Sequence, residues 1–156
     1  MKILLAIDGS KFSKEAIAEI TRRSWPADSE VRILSVANPS PLVIDPLLIV
    51  AASHYDSLSE EKERASRDVA EAEAAIAKSA PNLKLSTSIL VGSPKERIVE
   101  EAERWSADLV LVGSHGYGPV QRFLLGSVAQ AVALHAPCSV EIVRSHDQSV
   151  SGQAAA

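Results

Sequence analysis

Two uninterrupted apolar runs frame the chain: Ile3 to Ile7, which ends at Asp8-Gly9-Ser10, and Leu109 to Val112, which ends at Gly113. Short runs without polar alternation suit strands covered on both faces, so both are read as central strands of a parallel sheet. Val31 to Val36, Leu83 to Val91 and Val140 to Val143 supply further strands, the second of them alternating Leu85, Thr87, Ile89 and Val91 against Lys84, Ser86 and Ser88. Between the strands the apolar period lengthens to that of helices. Phe12, Ala16, Ile17 and Ile20 follow Ser10 to Ser13 at helical spacing, and Pro26 stops that helix. Ser57-x-x-Glu60 reads as a capping box opening a long helix with the stripe Ala65, Val69, Ala72 and Ile76. Ser93-Pro94-Lys95-Glu96 reads as another, with proline at the first helical position and Ile98, Val99, Ala102 and Trp105 behind it. Val128 to His135 forms the last helix.

Strict alternation of strand and helix implies an α/β domain: an open parallel five-stranded sheet with helices on both faces and right-handed crossovers. Such sheets bind ligands beyond the carboxyl ends of their strands, where the strand order reverses. Asp8 and Gly113 both lie at strand ends. If the first and fourth strands are neighbours, the reversal falls between them. The stretch Ala37 to Asp56, with Pro39, Pro41 and Pro46 before the apolar run Leu47 to Ala52, is longer than most connections. It is read as a lid or partner surface, or as a loop with one short helix packed on the sheet. Ser145 to Ala156 is polar and small and is expected to be a disordered tail.

Composition narrows the chemistry. A chain of 156 residues suits one domain, and 16 Lys plus Arg against 20 Asp plus Glu give a net charge of -4, which offers no electrostatic reason to expect nucleic acid or an anionic membrane as partner. The single Cys138 cannot form an intrachain disulfide, and its setting between Pro137 and Val140 to Val143 suits a small buried hydrophobe. The opening Met1 to Asp8 has too short an apolar run for a signal peptide or membrane span, so a cytoplasmic setting is expected.

The candidate chemistry lies in Val112-Gly113-Ser114-His115-Gly116, then nine residues, then Gly126-Ser127-Val128. Glycines let a backbone approach phosphate oxygens closely, and Gly126-Ser127 at a helix start offers N–H groups to an anion. The arrangement reads as a phosphate cradle. It is not a Walker A loop, whose lysine it lacks. Asp8 is a candidate cap for the helix that follows it, and Ser127 a candidate N-cap of the last helix. A hydrolase triad of Ser127, His115 and Asp8 is set aside, because the pattern G-x-S-x-G is absent. His115 is taken as a loop residue near phosphate, and His54 and His135 as surface or helix-end residues without metal-ligand spacing. Lys11 and Arg122 could add positive charge near the phosphates, with a solvated position the alternative for each. No catalytic residue and no protein-built metal site is identified.

Together these residues resemble the universal stress protein family, whose nucleotide-binding members carry Gly-x-x-Gly, nine residues, Gly-Ser/Thr after the fourth strand; here the pattern is Gly113, Gly116, Gly126 and Ser127. The likeness takes in Ile3 to Ser10, Val91-Gly92-Ser93-Pro94, Ala107 to Val112 and His135 to Val140, and covers residues 1–144 as one nucleotide-binding domain. It implies an adenine nucleotide alpha hydrolase-like sheet ordered 3-2-1-4-5, with ATP as ligand and Mg2+, if present, held mainly by phosphates and water. By the resemblance Asp8 contacts the ribose, the main chain of Val36 reads the adenine, and Gly113, Gly116, Gly126 and Ser127 hold the phosphates, with Val112 and Val128 beside them. A homodimer through the last strand (Val140, Ile142) is also implied. Two departures stand out. Tyr117 occupies a place that is often basic, and Glu141 interrupts a usually apolar last strand, where glutamates meeting across a two-fold axis would repel. The expected function is an ATP-dependent switch or dimeric module of a stress response; the alternatives are a dimeric interaction protein that binds no nucleotide and a slow ATPase or nucleotidyl-transfer enzyme.

Overall fold

Strands and helices alternate throughout the computed structural model, which describes residues 1–38, 51–117 and 124–144, with backbone only for 51–56. The elements are β1 (Lys2–Ile7), α1 (Lys11–Arg22), β2 (Glu30–Ala37), α2 (Ala51–Ser79), β3 (Lys84–Val91), α3 (Pro94–Trp105), β4 (Leu109–Gly113), α4 (Ser127–His135) and β5 (Ser139–Val143). All strand pairs are parallel, and the sheet order is β3-β2-β1-β4-β5. The order reverses between β1 and β4, where Ile3 faces Leu109 and Leu5 faces Leu111.

The two-residue period of the strands divides the core. Ile3, Leu5, Ile7, Val31, Ile33, Leu109 and Leu111 project to the face covered by α1 and α2, against Ala16, Ile20, Val69, Ala72 and Ile76. Leu4, Ala6, Leu34, Val110 and Val112 project to the face covered by α3 and α4, against Ile98, Ala102, Trp105, Ala129 and Val132. Because every β1 residue from Ile3 to Ile7 is buried, that strand reads as a continuous apolar run. The edge strand β3 is less covered: Leu85 packs toward α2, while Ile89 is 39% exposed.

Three expectations about helix starts are corrected. α2 begins at Ala51, six residues before Ser57, so the Ser57–Glu60 pair lies inside the helix. Extending an existing helix costs far less than nucleating one, so a Ser-x-x-Glu spacing within a helix-forming stretch need not mark its start. Ser93 is the N-cap of α3 with Pro94 at the first helical position, yet its side chain makes no capping bond; Glu96 and Arg97 N–H groups bond to its carbonyl instead. Gly126, not Ser127, is the N-cap of α4, its extended backbone (φ -60°, ψ 149°) leaving Ser127 as the first helical residue. The reading of Ala37 to Asp56 is corrected in part, since 51–56 belong to α2. Residues 39–50, with the proposed lid, and the tail 145–156 lie outside the described residues. Cys138 is half-buried against the α3 and α4 face, and burial pushes its thiol pKa up, which suits a packing role.

Candidate functional site

The turn after β1 is built around Gly9, whose φ of +80° suits glycine. Ser10 caps α1, its Oγ accepting from the Ser13 N–H at 3.3 Å. Asp8 is therefore not the cap itself but its brace. Its Oδ1 accepts from the Ser10 N–H at 3.0 Å and from the Ser13 hydroxyl at 2.5 Å, and its own N–H donates to Ser13 Oγ at 2.9 Å. These bonds fix the carboxylate at the end of β1.

Across the strand reversal, the chain leaves β4 through Ser114, which is 1% exposed and donates its N–H to the Val143 carbonyl of β5 at 2.8 Å. The Gly126 N–H returns to the Ser114 carbonyl, also at 2.8 Å, drawing the start of α4 back onto the loop after β4. Close approach explains the glycines. A Cβ on Gly113 would stand 2.8 Å from the Phe12 backbone, one on Gly116 would stand 2.6 Å from Asp8 Oδ2, and one on Gly126 would stand 3.0 Å from His115 Cα. At Gly113 the clash is with backbone, which cannot step aside, and at Gly126 the neighbouring backbone would have to give by a few tenths of an ångström.

A cavity of about 390 Å³ results at the carboxyl ends of β1, β2 and β4, within the size range of small-molecule sites. Asp8, Val36, Val112, Gly113, Gly116, Gly126, Ser127 and Val128, all singled out from the sequence, line it together. One wall is apolar, with Leu34, Val36, Pro94 and Ile98. The lining also carries polar groups, Asp8, Ser13, His115, Tyr117 and Ser127. Ser127, Val128 and Ala129 belong to the first turn of α4, where N–H groups have no acceptor within the helix, and all three line the cavity.

Other sequence candidates fall differently. Lys11 is exposed, its Nζ 4.9 Å from the Phe12 ring, and does not line the cavity. His135 ends α4 and is exposed; the side chain of His54 and all of Arg122 lie outside the described residues. Glu141 is not a bare charge at the sheet edge. Arg23, just beyond α1, donates to both its carboxylate oxygens at 2.7 Å, so its charge is paired within the chain.

His115 lines the cavity, and Ser13, Pro94 and Ile98 contribute more than their sequence context announced. Ser13 carries no signal beyond a position in the first turn of a helix. Pro94 and Ile98 read as helix start and core, which they also are. Asp68 of α2 was not anticipated at all: its Oδ2 and the Tyr117 hydroxyl would stand 2.4 and 2.6 Å from a Cβ on Gly9. Burial pushes the Asp68 pKa up, with the Asp8 charge adding to it, and burial with the Asp68 charge pushes the Tyr117 phenol up. Arg64, 5.5 Å from the Tyr117 ring, opposes both shifts.

Comparison with known proteins agrees with this fold. The family model described as "Universal stress protein family" matches residues 1–144. The universal stress protein MJ0531 of Methanocaldococcus jannaschii is 33% identical over 143 residues, 92% of this chain and 81% of the relative. Among solved structures, the hypothetical protein MJ0577 superposes with a TM-score of 0.79 at 25% identity, covering 94% of this chain and 96% of that one. A universal stress protein solved in complex with cAMP superposes with a TM-score of 0.62 at 26% identity, covering 92% and 96% of the two chains.

Proposed function

The chain belongs to the universal stress protein family, and on that premise we propose that it binds adenine nucleotide, chiefly ATP, in the cavity between β1 and β4. One observation carries the proposal: three separate segments bring Asp8, Gly113, Gly116, Gly126 and Ser127 to one cavity at the strand reversal, with glycine wherever a side chain would collide. The cAMP complex of a relative gives the adenine class independent support. In this reading the adenine lies against the wall of Leu34, Val36 and Ile98, and the main chain of Val36 meets its edge. Asp8, with Oδ1 committed to Ser10 and Ser13, offers Oδ2 to the ribose hydroxyls. The loop from Gly113 to Gly116 and the first turn of α4 hold the phosphates.

Among the described residues no group of three His, Cys, Asp or Glu side chains is placed to hold a metal ion. Mg2+ accompanying ATP would supply charge neutralisation, bound mainly by phosphate oxygens and water. The proposed role is a switch or interaction module, with ATP turned over slowly if at all. The Ser114 N–H bond to Val143 ties the phosphate loop to β5, and through that bond nucleotide state can reach a homodimer edge at Val140 and Ile142. A cytoplasmic setting belongs to the same proposal; no helix among the described residues is long and apolar enough to cross a membrane.

Thermal unfolding with ATP and Mg2+ tests the reading. Free ligand at a hundred times its dissociation constant adds about 2.7 kcal/mol of stability. Wild-type protein should melt at higher temperature with ATP, and Gly126→Val should not respond. A wild type indifferent to ATP, ADP and AMP would overturn the proposal.

A further inference from the structure

The hydrogen bonds around Asp8 treat its two carboxylate oxygens differently. Oδ1 is turned back toward α1, where it accepts from the Ser10 N–H at 3.0 Å and from the Ser13 hydroxyl at 2.5 Å. Oδ2 faces the loop after β4, since a Cβ on Gly116 would stand 2.6 Å from it, and no hydrogen bond among the described residues reaches it. Ser13 is what divides the two oxygens. Its side chain, 3% exposed, closes a reciprocal pair with Asp8: the hydroxyl donates to Oδ1 while Oγ accepts the Asp8 N–H at 2.9 Å. The last torsion of an aspartate is broad when left alone, so the pair ties the carboxyl plane to its own backbone. Ser13 reaches the cavity from α1, an element outside the glycine pattern.

We propose that Ser13 is a positioning residue that makes the site selective for ribose over deoxyribose, by holding Asp8 so that Oδ2 is presented to the sugar hydroxyls. The inference rests on the nucleotide-binding reading above and adds to it a sugar specificity and the residue that sets it. Two neighbouring hydroxyls can donate to one carboxylate oxygen only when its lone pairs are free and its direction is fixed. Ser13 supplies both conditions by drawing the internal bonds onto Oδ1. A site built to pair with a hydroxyl rejects the analogue that lacks it, because its own polar group is then left less satisfied. Without the Ser13 hydroxyl, the Ser10 N–H remains as a single brace and the carboxyl plane is free to turn. Ordering that plane again on binding offsets much of what the second sugar hydroxyl contributes, so the preference for ribose falls away.

Affinities for ATP, 2′-deoxy-ATP and 3′-deoxy-ATP are measured by calorimetry for wild type, Ser13→Ala, Ser13→Cys and Ser13→Thr, with melting temperatures confirming that each variant folds. Wild type should favour ATP over either deoxy analogue by about tenfold, as expected for one hydrogen bond to a charged group. Ser13→Ala, which has no donor, and Ser13→Cys, whose thiol is a weak one, should each lose about tenfold for ATP and stay within about threefold of wild type for the deoxy analogues. Ser13→Thr keeps the hydroxyl and should keep the preference. A merely structural role for Ser13 would weaken all three ligands alike and leave their ratio where it was. That outcome, a Ser13→Ala or Ser13→Cys protein that discriminates like wild type, or a wild type that binds ATP and the deoxy analogues equally, overturns the assignment while nucleotide binding stands. If wild type binds none of the three, the nucleotide reading fails and this inference fails with it.

Discussion

Glu101 and His115 both hold polar atoms away from water, and the protein treats them in opposite ways. Glu101, 2% exposed on α3, accepts from Arg32 at 2.8 Å and from Arg104 at 2.8 and 2.7 Å, and the Arg32 guanidinium lies 4.4 Å from the Trp105 ring. Every charge there has a partner. At the end of the cavity, His115 Nε2 has none, and Asp68 and Tyr117 are crowded against Gly9 with their pKa values pushed up by burial. A satisfied cluster locks α3 to β2. The unpaired His115 nitrogen withholds stability from the folded protein.

The contrast can be broken from the scaffold side first. Glu101→Ala leaves the partly buried Arg32 without its carboxylate and should cost about 2 kcal/mol of unfolding free energy by denaturant titration. Nucleotide affinity should be unchanged. From the site side, Gly116→Ala drives a methyl to within 2.6 Å of Asp8 Oδ2 and should weaken nucleotide binding by about tenfold, while unfolding free energy changes by less than about 1 kcal/mol. A variant that moved both quantities together would remove the distinction between scaffold and site.

Asp68 sharpens the comparison through pH. Its carboxyl has a raised pKa in the fold, so the charged form is penalised: wild-type stability is fullest below the unfolded pKa and is lost as pH rises through the folded one. Asp68→Asn should therefore raise the melting temperature at neutral pH, and the gain should vanish as pH falls through the carboxylate range. Glu19 has the opposite sign. The Arg22 guanidinium, assisted by Arg23, holds its carboxyl below the usual range, so Glu19→Gln should cost about 0.5 kcal/mol at neutral pH and nothing in acid. That pair lies at the surface and belongs to neither cluster, which makes it the smallest effect.

The parts of the fold legible from sequence were those set by period. β1 and β4 are buried on both faces and so read as apolar runs, and Ala65, Val69, Ala72 and Ile76 fall on one stripe because α2 buries one face. The start of α2 was not legible, because Ser57 and Glu60 have capping spacing without a capping position. The candidate site was legible where spacing encodes backbone approach, at Gly113, Gly116 and Gly126. The contribution of Ser13 depends on how Asp8 hydrogen-bonds, and that of Asp68 on how a distant helix packs over Gly9. Neither follows from local pattern. The satisfied Glu101 was equally silent, its partner Arg32 lying 69 positions away.

The central claim is that adenine nucleotide sits at the reversal between β1 and β4, and an isotope-edited NMR titration with ATP tests it most directly. The account predicts that the amide signals of Val36, Gly113, Gly116, Gly126 and Ser127 shift together with a single affinity while those of Glu101 and Arg104 stay in place. Amides that do not move with ATP, or that move only away from this cavity, would contradict it.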